Sequence, residues 1–345
     1  MMADINIRIE GHVGRITLNR PKAMNALSYQ MCLDIEAALD LWKQDDHVKM
    51  LLIDAAGERA FCAGGDIAEL YASGTRGDYD YGRKFWRDEY RMNAKLFEFP
   101  KPIVSFLQGF TMGGGVGVGC HGSHRVVGQS SQITMPECGI GLVPDVGGSL
   151  ILARAPGRLG EYVGTTGIRL GADDAITVGF ADYFIPEDQW PALISNLEKT
   201  GDWTLIDAAA TPPPAGNLAN QKQEIEQHFA GETLADIVRS LKSSDTEFAS
   251  STLKTLERNA PLSMGCTVEI VHRLRGQNNI RHALELEYRF THRAMEHADF
   301  IEGIRAAIID KDRNPKWKHT LDDALNLAVT QMLLPLGAET LDFKE

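Results

Sequence analysis

The middle of the chain carries the run Thr111-Met112-Gly113-Gly114-Gly115-Val116-Gly117. An apolar run rich in strand formers, Ile103 to Leu107, leads into it. An earlier block, Ala60-Phe61-Cys62-Ala63-Gly64-Gly65-Asp66-Ile67, follows the apolar run Val48 to Asp54. Glycine lets a backbone approach a ligand closely and present its N–H groups. We therefore expect two glycine loops, each directly at the end of a strand, that can donate main-chain hydrogen bonds to a ligand.

A third block at residues 135–148 adds two carboxylates, Glu137 and Asp145. Side-chain acids supply proton transfer or nucleophilic attack, and main-chain N–H groups stabilise an oxyanion that develops on a carbonyl. Taken alone, such acids would most often be solvated loop residues. Pro136, Pro144 and several glycines frame these two, and this setting favours an active site for acyl activation.

Strand and helix signals alternate up to about residue 190, which indicates an α/β fold. Residues 5–9 and 13–18 alternate apolar with polar side chains, and this pattern predicts an opening hairpin. Ser28 is suited to cap a helix that continues to Trp42. A second helix is predicted from Tyr81 to Phe97, before two prolines.

Residues 211–216 read Thr-Pro-Pro-Pro-Ala-Gly and cannot continue a regular element. We expect a core at residues 1–200, a linker at 201–220 and a helical C-terminal subdomain at 221–345. Within this last part, helical periodicity predicts helices at 221–229, 234–241, 247–259, 263–275 and 280–296.

Composition excludes several classes of protein. The 345 residues carry a formal net charge of −12, which argues against a nucleic-acid partner. The five cysteines form no CxxC pair and the histidines form no metal-binding motif, so we expect neither disulfides nor a metal. No segment has the length and apolarity of a membrane span, and the N-terminus lacks signal-peptide features. We expect a cytoplasmic protein without a membrane partner.

The three blocks and their order resemble the crotonase (enoyl-CoA hydratase/isomerase) superfamily over nearly the whole chain. The resemblance implies a spiral of repeated ββα units with an extended helical C-terminal subdomain. It also implies that the N–H groups of Gly65 and Gly114 form the oxyanion hole for the thioester oxygen of an acyl-CoA. Two fixed donors stabilise such an oxyanion more than they stabilise the ground-state carbonyl.

The acids depart from the hydratase pattern. A hydratase carries a glutamate three residues after the middle glycine, where this chain has Gly117, and usually a glycine at the position of Asp145. This exchange and the stretches 85–90, 141–148 and 299–317 are similar to the 3-hydroxyisobutyryl-CoA hydrolase branch. The branch implies hydrolysis of that thioester in valine degradation, with 3-hydroxypropionyl-CoA as a second candidate substrate. The implied catalytic residues are Glu137, Asp145, Gly65 and Gly114.

The resemblance further implies contacts to the CoA moiety. Residues 21–27 match the segment that holds the adenine and nucleotide, and Lys22 is the nearest candidate for a phosphate. Ala68 replaces a lysine common in hydratases, so Lys311, Arg313 and Lys316 are alternatives. No separate cofactor is expected, because CoA is part of the substrate, and both a homo-oligomer and a monomer stay open. The implied substrate-binding residues are Glu89, Gly114, Glu137, Asp145, Lys22, Ala23, Ala26, Ala63, Asp66 and Ile67.

Other interpretations remain. The chain could be an enoyl-CoA hydratase or isomerase, against which Gly117 argues, or a non-catalytic acyl-CoA-binding protein, against which the two acids argue. Residues 117–122 match the GxGxxG dinucleotide motif, but the predicted strand ends too early to feed it. Glu89 beside Arg87 fits a surface ion pair as well as a site residue. Glu137 can either attack the thioester or activate water.

Overall fold

The computed structural model of this chain describes residues 3–343. Its elements divide into two compact units, each assembled from three separate stretches. Unit 1 contains Arg91–Thr134, Arg169–Gly216 and the described part of Met1–Asp66. Unit 2 contains Ile67–Tyr90, Met135–Ile168 and the described part of Asn217–Glu345.

The regular elements within residues 3–343 are as follows. The strands are β1 Ile5–Glu10, β2 Val13–Leu18, β3 Met50–Ala55, β4 Ala60–Cys62, β5 Ile103–Phe106, β6 Phe110–Met112, β7 His124–Val127, β8 Gln132–Thr134 and β9 Tyr183–Phe184. The α-helices are α1 Tyr29–Trp42, α2 Ala68–Thr75, α3 Asp80–Phe97, α4 Gly114–Gly119, α5 Gly148–Arg154, α6 Leu159–Thr166, α7 Ala172–Val178, α8 Trp190–Thr200, α9 Thr204–Ala209, α10 Leu218–His228, α11 Leu234–Lys242, α12 Glu247–Leu256, α13 Pro261–Leu274, α14 Ile280–His297, α15 Phe300–Ile304 and α16 Asn326–Met332. A 3₁₀ helix at Glu137–Ile140 and a π-helical turn at Arg305–Ile309 complete the elements that the site requires.

Unit 1 contains both sheets of the structure. The larger has the order β1-β2-β3-β5-β7-β9, and the smaller has the order β4-β6-β8. Strands β1 and β2 form the predicted antiparallel hairpin, and every other pairing in the two sheets is parallel. Successive pairs, β3 with β4, β5 with β6 and β7 with β8, each place one strand in either sheet. This repetition confirms the predicted ββα spiral.

The core of unit 1 lies on one face of the larger sheet. Alternate residues of the parallel strands, such as Met50 and Leu52 on β3 and Val104 and Phe106 on β5, share that face. Trp190 of α8 packs against them, with ring centroids of Trp190 and Phe106 5.2 Å apart. The strands are therefore fixed in register, and their carboxyl ends hold the loops in constant positions.

The regular elements of unit 2 are helices. One of them, α3, begins in unit 2, and its last residues belong to unit 1. α13 packs against both α5 and α6, and α15 packs against the 3₁₀ helix Glu137–Ile140. Gly303 of α15 makes this close approach possible, because a Cβ there would lie 2.1 Å from the carbonyl oxygen of Ile140. The five helices predicted beyond residue 220 are present as α10 to α14.

The glycine blocks do not follow the strands of the larger sheet directly, because the short strands β4 and β6 come first and carry the loops on the smaller sheet. The division into a core at 1–200, a linker at 201–220 and a subdomain at 221–345 stays a prediction. Residues 201–220 contain α9 and the first residues of α10.

Candidate active site

The two glycine loops of unit 1 lie next to each other. Strands β4 and β6 are parallel neighbours, so their carboxyl ends open at the same edge. A Cβ on Gly115 would lie 2.4 Å from the carbonyl oxygen of Cys62, so the start of α4 touches the end of β4. Gly64 has φ +103°, a conformation that favours glycine, and lies beside the Met112 carbonyl. The sequence-predicted Gly65 and Gly114 are thus brought together at one edge of the smaller sheet.

The main-chain donors of these loops are available. Leu27 bridges the first loop: its N–H donates to Gly64 O at 2.9 Å, and its carbonyl accepts from Asp66 N at 2.9 Å. Among the described residues, the N–H groups of Gly65 and Gly114 donate to no protein acceptor. Two such donors at neighbouring strand ends are what an oxyanion hole requires.

The predicted nucleotide segment borders the first glycine loop. Met24 and Asn25 both have positive φ, and the Asn25 side chain donates to the carbonyl oxygens of Ala56 and Ala60, each at 2.9 Å. Met24 O also accepts from the N–H of Ala63 at 3.0 Å. These bonds hold the segment along β4. Its predicted contact residues Lys22 and Ala23 are exposed, and Ala26 is half-buried.

The other two predicted contacts of the first block, Asp66 and Ile67, belong to different units. Asp66 is half-buried, and its carboxylate accepts from Arg20 Nη2 at 3.0 Å, so it already has a cationic partner. Ile67 belongs to unit 2, where it precedes α2. The alternative phosphate partners Lys311, Arg313 and Lys316 are exposed in unit 2, in the segment after the π-helical turn.

Four of the carboxyl groups that unit 2 buries form what we call the acid cluster: Glu89, Glu137, Asp145 and Glu287. They are 3%, 4%, 4% and 0% exposed, respectively. The sequence predicted the first three as site residues, and all three lie in this unit. The surface ion pair considered for Glu89 is therefore wrong, because the side chain is buried on α3. Arg87 instead donates to the hydroxyl of Tyr288 at 3.3 Å.

Glu137 begins the 3₁₀ helix that follows Pro136. Gly139 N donates to Pro136 O at 2.9 Å, and Gly141, with φ +78°, ends the helix. Among the described residues, Oε2 of Glu137 and Oε1 of Glu89 have no hydrogen-bond partner although both atoms are buried. A buried carboxyl oxygen without a partner is costly to keep, and such costs are typical of groups that meet a ligand.

Asp145 sits at the first position of a tight turn. Gly148 N donates to Asp145 O at 2.7 Å, and the two central residues, Val146 and Gly147, have φ +54° and +81°. These are the signs of a type I′ turn, which suits Gly147 but strains the β-branched Val146. The Asp145 carboxylate accepts from the hydroxyl of Tyr90 at 2.7 Å. The turn therefore orients a buried carboxyl group that accepts a hydrogen bond from Tyr90.

Burial raises the pKa of every acid in the cluster, and the charge of Asp145 raises the pKa of the other three further. Desolvation is the largest cause in each case. It raises the pKa of Asp145 to about 7, and together with repulsion from Asp145 it raises that of Glu287 to about 8. Burial and the charge of Asp145 lift the pKa values of Glu89 and Glu137 well above the ordinary range. The cluster thus holds protons near neutral pH and can exchange them.

Two members of this arrangement were missed from the sequence, Tyr90 and Glu287. Glu287 stands on α14 in line with the buried residues Ala283 and Thr291, four positions to either side. A charged residue within an apolar helix stripe is the signal that could have revealed it. Tyr90 gives no comparable signal, because a buried tyrosine in a helix is common in protein cores.

Other sequence motifs are not assembled into sites. Gly117 lies inside α4, so the GxGxxG match does not form a strand-to-helix turn. Among residues 3–343, no group of three or more His, Cys, Asp or Glu side chains is arranged to hold a metal ion. No helix in the same range is long and apolar enough to cross a lipid bilayer.

Comparison with known proteins identifies the family. The model for enoyl-CoA hydratase/isomerase matches residues 13–333. The chain belongs to this family, as its blocks predicted, and it has the crotonase fold.

Particular relatives narrow the comparison. The chain is 33% identical to the mitochondrial 3-hydroxyisobutyryl-CoA hydrolase of Gallus gallus, covering 97% of this chain and 90% of that protein. It is 35% identical to a probable 3-hydroxyisobutyryl-CoA hydrolase 3 of Arabidopsis thaliana, covering 92% and 87%. These relatives carry the name of the branch that the acids at positions 137 and 145 indicated.

Solved structures carry different names. A crystal structure of an enoyl-CoA hydratase from Rhodobacter sphaeroides 2.4.1 is 54% identical, with a TM-score of 0.95 and coverage of 99% and 100%. One of a carnitinyl-CoA dehydratase from Mycobacterium thermoresistibile is 38% identical, with a TM-score of 0.93 and coverage of 99% of each chain. The chain shares its fold with both solved structures. The names of its relatives differ, because the first two are called hydrolases and the solved structures a hydratase and a dehydratase.

Proposed function

We propose that this chain is a thioester hydrolase that cleaves 3-hydroxyisobutyryl-CoA, a step of valine degradation, with 3-hydroxypropionyl-CoA as a second substrate. The names of the 3-hydroxyisobutyryl-CoA hydrolase relatives support this activity. The observation that carries it is the buried pair Glu137 and Asp145, with one Glu137 oxygen unpartnered. A hydratase-type acid is absent at Gly117.

Glu137 does the central chemistry in this proposal. Its carboxylate attacks the thioester carbonyl, a C–O bond forms, the C–S bond breaks, and the sulfur leaves and takes a proton. Water then cleaves the mixed anhydride and restores the carboxylate. In the alternative, Glu137 takes a proton from water, which attacks directly. We favour covalent attack, and incorporation of oxygen-18 from labelled water into Glu137 in a single turnover separates the two routes.

The other predicted residues assist. The N–H groups of Gly65 and Gly114 bind the oxyanion that either route produces. Asp145 binds the 3-hydroxyl group of the substrate or shares a proton with Glu137, and Glu89 contacts the same hydroxyl. A protonated member of the acid cluster is a proton donor for the departing sulfur, because the raised pKa of Asp145, about 7, keeps a proton available.

The test is a panel of 3-hydroxyisobutyryl-, 3-hydroxypropionyl- and crotonyl-CoA, read by release of free thiol. We expect thiol from the two 3-hydroxyacyl thioesters and none from crotonyl-CoA. The two hydroxyacyl groups differ by one methyl, which a pocket distinguishes by about 1–3 kcal/mol, so a preference of up to two orders of magnitude is expected. Absence of thiol release from all three would refute hydrolysis.

Enoyl-CoA hydration is the second candidate, favoured by the name of the 54% identical structure. Loss of the enoyl absorbance of crotonyl-CoA without thiol release would establish it. Binding of all three thioesters without conversion would instead establish a non-catalytic acyl-CoA-binding protein. The position of Gly117 inside α4 and the buried Asp145 favour hydrolysis over both.

Three further predictions accompany the proposal. CoA enters as part of the substrate, with no separate cofactor. A cytoplasmic location is expected from the sequence, whereas the vertebrate relatives carry "mitochondrial" in their names, and cell fractionation distinguishes the compartments. Sedimentation decides between a monomer and a homo-oligomer.

A further inference from the structure

The turn that carries Asp145 is strained. Val146 has φ +54°, in the left-handed region where a β-branched side chain crowds the backbone. Such turns are ordinarily made with Asn, Asp or Gly at this position. Another residue must therefore hold the turn in place, because the local sequence does not favour this backbone conformation.

Glu287 is that residue. Its Oε2 accepts from Gly147 N at 2.9 Å, and its Oε1 accepts from Ser149 N at 3.2 Å and from the Ser149 hydroxyl. The carboxylate thus binds the second half of the turn, directly after Val146, and the start of α5. Glu287 is fully buried in the middle of α14, an 18-residue helix, so its own position is rigid.

We infer that Glu287 is a positioning residue that fixes the Asp145–Gly148 turn and so aims the Asp145 carboxylate. This inference rests on the proposed function for its kinetic consequence only. The turn geometry can be tested without any substrate. Nothing in the fold requires an acid at this point for packing alone, because a buried carboxylate costs more than an apolar residue of similar size.

The test compares Glu287→Gln, Glu287→Asp and a matched control on the same helix, Glu285→Gln, whose native side chain pairs with Arg289 outside the acid cluster. Gln places an N–H₂ group where an acceptor is needed, and Asp is one methylene too short to reach both amides. We expect kcat to fall about tenfold to a hundredfold in both Glu287 variants, because small misplacements of reacting groups cost that much. KM and the activity of the control should change less than threefold.

The Val146→Gly substitution provides the rescue. Glycine adopts positive φ without strain, so Val146→Gly should restore at least part of kcat in the Glu287→Gln background. A residue that only stabilised the fold elsewhere would show no such specific rescue. Ser149→Ala, which removes only the hydroxyl donor, gives a second and milder variant if Glu287→Gln fails to fold.

Hydrogen–deuterium exchange of the peptide at residues 143–150, without substrate, reads the turn directly. We expect faster exchange in Glu287→Gln than in the wild type and in Glu285→Gln, and recovery in the double variant. Unchanged exchange would overturn the inference whatever reaction the protein catalyses. Wild-type kcat in Glu287→Gln, or no rescue by Val146→Gly, would overturn it as well. Failure of the wild type to cleave any thioester would count against the proposed function alone.

Discussion

The glycine loops of unit 1 and the acid cluster of unit 2 offer opposite kinds of chemistry. The loops present uncharged main-chain donors whose positions follow from parallel strand ends. The acid cluster presents side chains whose charge depends on burial and on each other. Backbone dipoles are constant with pH, whereas the charges of the acids change with it. Changes to the loops should therefore lower rates uniformly, and changes to the acids should also move pH profiles.

The largest effect is expected from Glu137→Gln. The substitution removes the group that attacks the thioester or activates water but keeps its size. We expect kcat to fall by at least about 10³-fold while the substrate still binds, measured by thiol release and by calorimetric titration. Near-normal turnover would exclude both proposed routes. Glu269→Gln on the exposed face of α13 is the control and should match the wild type.

Gly114→Pro tests the glycine loops of unit 1. Proline has no N–H group and is accepted at the first position of a helix, which Gly114 occupies in α4. Loss of one oxyanion donor should lower kcat about 10²-fold at every pH. Gly114→Ala adds bulk but keeps the donor, so the ratio between the two variants isolates the hydrogen bond. Equal activity of both would remove the Gly114 donor from the mechanism.

Asp145→Asn should have a smaller effect on rate and a distinct effect on pH. The amide oxygen can still accept from Tyr90, but the negative charge that raises the pKa of Glu137 is gone. The rising limb of kcat/KM should move to lower pH, because Glu137 then loses its proton more readily. The plateau value of kcat should fall about tenfold, because the amide cannot supply the proton that Asp145 offers. An unmoved limb would show that Asp145 and Glu137 do not share a titration.

The smallest effect concerns stability. Asp145 keeps its proton in the folded state up to about pH 7, whereas the unfolded chain loses it near its ordinary pKa of 3.8. The folded state therefore binds more protons between these values, and the free energy of unfolding falls as pH rises through that window, by at most about 1.4 kcal/mol per pH unit. Urea unfolding at pH 5, 6 and 7 should show a flatter dependence in Asp145→Asn. An identical slope would contradict the raised pKa.

Much of the fold and part of the site follow from sequence pattern. Alternation located β1 and β2, and the glycine blocks located both loops, because glycine marks backbone that must approach something closely. Glu137 and Asp145 were found through a family pattern, since a carboxylate in a loop carries no sign of its own burial. Strands β4 and β6 were too short to predict, and so the glycine blocks were expected directly after the strands that precede β4 and β6.

Glu287 and Tyr90 illustrate why the rest of the site could not be predicted. They lie 140 and 55 residues from the positions that they contact, Gly147 and Asp145, so only the folded chain brings them there. Periodicity places Glu287 on the buried face of α14 but cannot name its partner. The direction of a helix against a turn is set by tertiary packing, which local sequence does not encode.

The unpartnered oxygens of Glu89 and Glu137 have a consequence for inhibitors. A neutral ligand that offers hydroxyl or amide hydrogens to these oxygens favours the ionised carboxylate, so its binding should release a proton to solution. An anionic ligand in the same place must bring a proton with it from solution, so its affinity should strengthen on mild acidification. Calorimetry in two buffers of unequal ionisation enthalpy would count that proton.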